Sequence, residues 1–279
     1  MTPLTYVYCL VRSTRRPAIS RRLTSLGLPG SHDTRAVATG DSLWLIVTSL
    51  PAAEYDEVRL AQGLQNLDWV GRRAMAHEAV VEQFLSARAV LPMQLFTLFT
   101  SDERAVHHVQ RQRKEILAVV TRLERKLEWG LRLTFDEQAV RKAVDAAGQV
   151  RPTGTGYLTR KRDLLDVHRV QFRAAKSDAD QLFDALSGEA ADARRRTSTE
   201  QAAPGSRLLL DAAFLVPSSR TRTFRAAVGR KARAIGAAGV VVSLTGPWPP
   251  YNFIAPPAVS ARRMASGRRR QSSRGKAAR

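Results

Sequence analysis

The chain has 279 residues, 44% of them apolar, which is enough to bury the core of one large or two ordinary globular domains. Its single cysteine, Cys9, excludes an intrachain disulfide and a cysteine-based zinc site. No run reaches the ~18 apolar residues of a membrane span, and the N-terminus is interpreted as a strand in preference to a signal peptide.

The formal charge of +20 is concentrated near the C-terminus. Asp211 is the last acidic residue, and fourteen cations follow it, eight of them in residues 258–279. Such an asymmetry is compatible with a solubilising tail or with an anionic partner such as nucleic acid, a membrane surface or an acidic protein.

The first half of the chain alternates between strand and helix patterns. A β-branched and aromatic strand is predicted over 4–11, followed by a hairpin over 34–49 with Gly40-Asp41 at its turn. Apolar residues then recur at helical spacing over 64–88: Leu67, Val70, Ala74, His77, Val81 and Phe84. AVLP ends this helix at Pro92, LFTLF is a short strand, and Ser101 caps a further helix that extends to about Leu127.

The second half begins with a strand of clear alternation, in which Trp129, Leu131, Leu133 and Phe135 share one face. A short helix near 136–147, a long one over 156–186, a strand over 207–216, a basic helix over 219–235 and a strand over 239–245 follow. Residues 187–206 are a frayed helix or a loop. This order predicts an α+β protein with domains at 1–130 and 131–257 and a disordered basic tail at 258–279.

Local motifs assign no catalytic, cofactor-binding or metal-binding residue. Glycine-rich phosphate loops and nucleophile elbows are absent from the sequence. His107 and His108 are adjacent on a helix and point about 100° apart, so they cannot converge on one ion. His77 and His168 lie on apolar stripes and are interpreted as core histidines. A catalytic pair that the fold assembles from distant residues is the alternative.

The segment LTGPWPPYNF, residues 244–253, contains three prolines and three aromatic residues. Since proline has no N–H group, we expect these residues to end the preceding strand at 245. Trp248, Tyr251 and Phe253 should then fold back onto the protein, with Trp248 buried. An outward-facing aromatic patch that binds a partner is the alternative.

Six segments together resemble the gas vesicle protein F/L family (GvpF/GvpL). They are TYVYCLV at the N-terminus, AHEAVVEQF with His77 and Glu78, VLP at 90–92, LEWGLRL with Glu128 and Trp129, GYL at 156–158 and LTGPWPPYNF. The last is the most specific, and the resemblance covers residues 4–256. The chain departs from the family pattern at 93–96, where Met-Gln-Leu-Phe replaces the usual Leu/Met-Arg-Phe-Gly.

The resemblance implies two α/β-type domains, the C-terminal one ferredoxin-like, and a non-enzymatic role without cofactors. The expected role is that of a cytoplasmic, chaperone-like assembly factor in gas vesicle formation. It would bind the small hydrophobic shell protein and other gas vesicle accessory proteins. The alternative is a nucleic-acid-binding protein that acts through its basic helix and tail. Nucleic acid is the less favoured partner, because no aromatic residue is interleaved with the basic tail.

Overall fold

The computed structural model describes residues 3–140, 142, 154–197, 204–235 and 239–255. The fold is α+β with two antiparallel sheets, as the sequence predicts. The predicted tail at 258–279 lies outside the described residues, as do residues 141 and 143–147 of the predicted short helix. Among the described residues, no helix has the length and apolar character needed to cross a membrane.

The N-terminal half contains the first sheet and six helices of the described chain. Its strands are β1 (Leu4–Arg12), β2 (His32–Gly40), β3 (Leu43–Leu50), β4 (Ala89–Pro92) and β5 (Leu98–Phe99). Its helices are α1 (Arg21–Ser25), α2 (Ala52–Tyr55), α3 (Glu57–Gly63), α4 (Leu67–Glu82), α5 (Asp102–Arg111) and α6 (Arg113–Leu123).

The C-terminal half builds the second sheet around a long helix and a basic helix. Its strands are β6 (Lys126–Asp136), β7 (Asp192–Arg195), β8 (Ser206–Pro217) and β9 (Val240–Trp248). Its helices are α7 (Gly154–Ser187) and α8 (Thr221–Ala234), with a helical turn at 137–140 and a 3₁₀ turn at Tyr251–Phe253. The predicted domain boundary at residue 130 stays a prediction, and β6 runs through that position.

Both sheets have the same strand order. In the second sheet the order is β7-β8-β6-β9, which is the 2-3-1-4 arrangement of a ferredoxin-like βαββαβ unit with antiparallel neighbours. In the first sheet the order β2-β3-β1-β4 is again 2-3-1-4, and β5 pairs with β1 beyond β4. The central strands are therefore β1 with β3 and β6 with β8.

Three apolar clusters fill the space between the layers. One lies between the first sheet and helices α1–α4, and another between the second sheet and helices α7 and α8. The third joins the two halves, because it combines Val7 and Leu10 of β1 with Ala213 and Leu215 of β8 and with Phe253. Helices α5 and α6 contribute to this third cluster. Strand β1 is consequently buried on both faces, which explains its continuous apolar run.

Several predicted elements need correction. The hairpin turn is formed by Asp41 and Ser42, one residue later than predicted, and both have the positive φ of a type I′ turn. The helix predicted over 64–88 spans Leu67–Glu82, capped by Asn66, and α2 and α3 precede it. Leu67, placed on its buried stripe, is 87% exposed. AVLP is a strand because it pairs with β1.

The helix predicted after Ser101 is divided in two at Gln112, and Leu127 belongs to β6 instead. The Ser101 cap is confirmed, since its side chain accepts a hydrogen bond from the Arg104 N–H. Strand β7 was missed. Its sequence, DARR, has a single apolar residue, Ala193, and therefore shows no strand alternation, although it pairs with β8 as a short edge strand.

Candidate functional site

His77 of α4 is held by Tyr6 of β1 inside the N-terminal half. The histidine is 4% exposed, and its Nδ1 lies 2.6 Å from the Tyr6 hydroxyl oxygen. The Tyr6 hydroxyl and His77 Nδ1 share one hydrogen bond, in which the imidazole tautomer decides the donor, and the Phe96 backbone lies beside the same hydroxyl. Burial lowers the pKa of His77 to about 4, which keeps the ring neutral. The expectation of a core histidine is therefore confirmed.

The next residue of α4, Glu78, faces the C-terminal segment. The Tyr251 hydroxyl lies beside its carboxyl group and favours the carboxylate, but burial outweighs this and raises the pKa of Glu78. Burial and the neighbouring carboxyl together raise the pKa of the Tyr251 phenol. Glu78 and Tyr251 come from different halves of the protein and are 173 positions apart in the chain, yet each affects the pKa of the other.

Glu128 of β6 binds the same segment one residue further on, at Asn252. Its Oε1 accepts from the Asn252 side-chain Nδ2 at 2.5 Å, and its Oε2 accepts from the Asn252 backbone N–H at 2.9 Å. The side chain is only 3% exposed, and burial raises the pKa of the carboxyl group although both hydrogen bonds act in the opposite direction. Because both acceptor oxygens are used, Glu128 fixes both the position and the orientation of Asn252.

Two arginines complete the attachment of residues 251–255, which we call the junction segment. Arg122 of α6 donates to the carbonyl oxygens of Phe253, Ile254 and Ala255 at 2.5–3.2 Å. Arg194 of β7 donates to the Asn252 and Ala255 carbonyl oxygens at 2.6 and 2.8 Å, and its guanidinium lies 5.1 Å from the Phe253 ring centre. The junction segment is therefore bonded to both halves of the protein.

A cavity of about 750 Å³ lies beside this junction. Its wall combines α4, the residues from β4 to Leu95, helices α5 and α6, and the junction segment. Most of the lining side chains are apolar: Leu10, Ala74, Leu91, Pro92, Met93, Leu95, Val109, Ile116, Val119, Ile254 and Ala255. The volume is typical of pockets that enclose a small organic ligand or a few side chains of a partner.

Two buried polar atoms of the cavity wall lack hydrogen-bond partners among the described residues. They are His77 Nε2 and Glu78 Oε1, and both atoms are closed off from solvent. The Met93 carbonyl is close enough to favour the charged ring, but it does not bond to Nε2. The remaining polar lining residues are Gln94, His108, Gln112, Glu115 and Tyr251, and none of the described lining residues is Lys, Arg, Ser, Thr or Cys. The described part of the chain also contains no group of three side chains suited to hold a metal ion.

The opening of the C-terminal motif differs from prediction in two ways. Strand β9 does not end at 245, because its ladder resumes at Trp248 opposite Glu128 after a bulge that contains Gly246 and Pro247. Gly246 has φ +118°, and a Cβ atom there would lie 2.9 Å from the Glu128 carbonyl oxygen. The peptide bond between Gly246 and Pro247 is cis. Trp248, expected in the core, is 37% exposed, whereas Phe253 is completely buried.

Sequence reasoning missed the roles of Asn252, Arg122 and Arg194. Arginines are common on the surface of this chain, and their carbonyl partners lie far away in sequence, so no local pattern identifies them. For Glu128 there was a signal: it shares one face of β6 with Gly130, and a glycine inside a strand indicates close approach by another segment. Of the two adjacent histidines of α5, His108 lines the cavity, whereas His107 does not.

These features define a two-sheet α+β protein in which the junction segment bonds to both halves beside an apolar cavity. The family model described as "Gas vesicle synthesis protein GvpL/GvpF" matches residues 4–255, and the chain belongs to this family of gas vesicle proteins. The family resemblance seen in the sequence is therefore confirmed.

Individual relatives and solved structures agree. The chain is 27% identical to gas vesicle protein L of Streptomyces sp. (strain CB03234) over 228 residues, 80% of this chain and 84% of that one. It is 28% identical to gas vesicle protein F of the same strain over 260 residues, 90% and 99% of the two chains. The crystal structures of GvpF from Anabaena sp. PCC7120 and from Microcystis aeruginosa superpose with TM-scores of 0.62 and 0.58 at 16% and 15% identity. Each covers 91% of this chain, and the match extends over 96% and 100% of the respective structure. At these identities the structures show a common fold.

The family is one of gas vesicle accessory proteins and is not a known enzyme family.

Proposed function

We propose that this protein is a cytoplasmic assembly factor that binds the small hydrophobic shell protein of gas vesicles and helps it to join the vesicle wall. The observation that carries the proposal is the family match. It extends from β1 to the junction segment and so includes every element that lines the cavity. Other accessory proteins of the vesicle are further expected partners.

The physical need for such a factor follows from the hydrophobic effect. A shell subunit with one water-repelling face exposes apolar surface at ~25 cal/mol per Å², so ~400 Å² left in water favours aggregation by ~10 kcal/mol before entropic costs. A soluble partner that covers part of this face would keep subunits apart until they are incorporated.

The chemistry of the cavity supports binding over catalysis. His77 Nδ1 is hydrogen-bonded to Tyr6, and burial lowers the pKa of His77 to about 4, so the ring is a weak base. The described lining has no hydroxyl, thiol or amine nucleophile apart from the Tyr251 phenol, whose pKa is raised by burial. Cys9 lies on the central strand β1 of the first sheet with its side chain in the core, and burial raises the pKa of its thiol beyond the usual range. We therefore propose a non-enzymatic role.

Co-expression with the major shell protein tests the proposal. The full chain, tagged and purified under native conditions, is expected to retain the shell subunit in soluble form, whereas the tag alone should leave it insoluble. Vesicle formation in cells that lack this chain is the companion measurement. If no complex forms and vesicles assemble normally without the chain, the proposed function is wrong.

A further inference from the structure

We propose that the open edge of β9 binds an extended strand of a different protein, a strand that alternates apolar and small polar residues and carries acidic side chains at its ends. This inference goes beyond the proposed function and does not depend on it. Three features carry it: the outward backbone groups of β9, the lack of protection at this edge and the positive charge of α8.

The outward backbone groups of β9 follow from its ladder with β6. Strand β9 is the last in the order β7-β8-β6-β9, so among the described strands it pairs with β6 alone. The Asp136 N–H donates to the Gly239 carbonyl oxygen at 2.7 Å, and the same register continues without a shift to Thr245. Because bonded and non-bonded pairs alternate in an antiparallel ladder, every second residue after Gly239 turns its N–H and C=O away from β6. These residues are Val240, Val242 and Leu244.

The β9 edge lacks the features that keep other sheet edges from pairing, which are charged side chains, bulges and short length. Strand β2 has Asp33, Arg35 and two irregularities of register, and β4, β5 and β7 have only two to four residues each. Residues 240–245, VVVSLT, contain no charge, no proline and no register shift. Val241 is 54% exposed, and none of the six residues is fully buried. The edge therefore offers an incoming strand both backbone partners and apolar contacts.

Helix α8 supplies positive charge beside this edge. Its apolar side packs into the same cluster as Val240, Val242 and Leu244. Residues 220–233 contain six cations, and no acidic residue follows Asp211 in the sequence. Within the described chain, none of these cations forms an ion pair. A strand that pairs with β9 would thus run beside unpaired cations, which favours acidic side chains on its helix-facing side.

The same charge excludes the main competitors. Antiparallel pairing of β9 with a second copy requires a two-fold axis perpendicular to the sheet, which places both α8 helices on one face with like charges close together. Residues 258–279 of the chain itself contain eight cations and no acid, so they would meet the same repulsion. Nucleic acid offers phosphates to α8 but no peptide backbone to the edge. An acidic strand of a different protein satisfies both the edge and the helix.

Three peptides and hydrogen exchange of the full chain test the inference. The probe is Ac-Glu-Thr-Val-Thr-Val-Thr-Glu-NH₂, one control has Lys at both ends, and the other is the probe with N-methyl groups on its two central residues. We expect the probe to slow amide exchange of Val240, Val242 and Leu244 by about tenfold or more, whereas Val241 and Ser243, already bonded to β6, should not change. The N-methylated peptide, which lacks donors on both of its edges, should protect none of the five amides. The Lys peptide should bind at least about tenfold more weakly at low salt.

Four outcomes overturn the inference. Protection without the period of two would mean that no strand is added, and equal affinity of the Glu and Lys peptides would mean that α8 selects nothing. Protection that increases with protein concentration in the absence of peptide would show that a second copy occupies the edge. Tighter binding of a DNA duplex than of the Glu peptide would assign the basic surface to nucleic acid.

A proline variant removes one outward donor of the edge. Val242→Pro deletes an N–H that β6 does not use, so the ladder and the fold should persist. We expect it to weaken binding of the Glu peptide by about tenfold or more, whereas Val242→Thr, which keeps the N–H and the side-chain shape, should stay within about threefold of the wild type. Equal binding by both variants would contradict the proposal. If Val242→Pro does not fold, the N-methylated peptide decides the same question from the side of the ligand.

A matched pair of triple variants tests the role of α8. One replaces three exposed cations of α8 with Gln: Arg222, Arg230 and Arg233. The other removes the same charge from exposed positions in the first half: Arg104, Arg111 and Lys114. At low salt we expect the α8 variant to bind the Glu peptide about threefold or more weakly, and the control to change affinity by less than about 1.5-fold. Equal losses in the two variants would mean that only net charge matters and that α8 does not define the partner.

Discussion

Glu128 shows at the scale of one residue how the junction is held. A buried carboxyl group is costly unless its oxygens are bonded, and here Asn252 provides a donor for each oxygen. The alternation of β6 assigns Glu128 to the face opposite Trp129, and that face is covered by the junction segment and not by water. His77 is a second buried titratable residue, and burial lowers its pKa to about 4, so its ring stays neutral at mildly acidic pH.

Replacing Glu128 with Gln should lower the free energy of unfolding by about 2 kcal/mol. The amide keeps the size of the side chain but sets an NH₂ group against one of the two Asn252 donors, which leaves buried polar groups unpaired. Urea unfolding of the full chain measures this loss. Glu57→Gln on the exposed side of α3 is the control and should change stability by less than ~0.5 kcal/mol. Equal stability of the two variants would show that Glu128 does not anchor the segment.

His77 should make stability fall as the pH decreases below its unfolded pKa. With a folded pKa of about 4 against a usual value of 6.5, the unfolded state binds the proton first, so stability is complete above pH ~6.5 and is lost toward pH ~4. Between pH ~7 and ~5, the wild type should lose about 2 kcal/mol more than His77→Gln, which can still accept from Tyr6.

The variant comparison is necessary because neighbouring carboxyl groups titrate with the opposite sign. The pKa values of Glu78 and Glu128 are raised in the folded state, so these groups contribute stability at low pH and lose it as the pH rises. They are present in both proteins and cancel in the difference. His107→Gln, at an exposed position, should keep the wild-type pH dependence. If His77→Gln keeps it as well, His77 does not titrate as inferred.

At the scale of elements, strand β9 and the junction segment that follows it contribute to the fold in different ways. Strand β9 continues to Trp248 because a bulge places Gly246 and Pro247 where no ladder N–H is required. The chain then turns, and Phe253 enters the apolar cluster shared by β1, β8 and α5–α6. We therefore expect the buried Phe253 to contribute more to the free energy of unfolding than the exposed Trp248.

Phe253→Ala should destabilise the protein by ~3–4 kcal/mol, because it removes a completely buried ring and leaves a cavity in the joint. Trp248→Ala, five residues earlier, should cost less than ~1 kcal/mol, since more than a third of that ring is already exposed. Urea titrations of both variants provide the comparison. A larger loss for Trp248→Ala would contradict the assignment of Phe253 as the anchor.

At the scale of the whole molecule, two sheets of the same strand order are joined by a shared apolar cluster and by the junction segment. Arg122, Glu128 and Arg194 bind that segment from α6, β6 and β7, and Glu78 faces it from α4. The strongly basic part of the sequence follows this joint, and several exposed arginines lie on α8. Shell-protein binding and nucleic-acid binding would thus use different parts of the chain.

Removing residues 258–279 separates these two functions. The segment contains eight cations and no acid, so if it binds phosphates, affinity for duplex DNA should fall with salt by a log-log slope of about −0.9 per phosphate neutralised. Truncation should then abolish most of that slope. We expect the truncated chain to capture the shell subunit undiminished at ~0.3 M salt, where the Debye length is about 6 Å.

The full-length chain serves as the control in both measurements. Loss of capture on truncation, or tight sequence-specific binding of nucleic acid by residues 1–257, would show that the partner has been misidentified.

Local periodicity was sufficient to predict the strongly patterned elements. Strands β1, β6 and β8 and helix α7 were found because alternation of period two or a helical stripe records burial on a face, whatever covers it. Phe172, Ala179, Leu182 and Leu186 of α7 do pack onto the second core as their spacing predicts, whereas His168 lies among the side chains that the structure leaves undescribed. The short edge strand β7 was missed because four residues with a single apolar side chain show no alternation.

The joint and its cavity required the tertiary structure. Glu128 and Asn252 are 124 residues apart, and Arg122 and Ala255 are 133 apart, so the pattern around each residue cannot reveal its partner. The family resemblance selected the segments around Tyr6, His77, Glu128 and Tyr251, yet it did not show that they converge. Burial of Phe253 instead of Trp248 was likewise decided by the space left between the two sheets, because both rings are apolar and only the packed core distinguishes them.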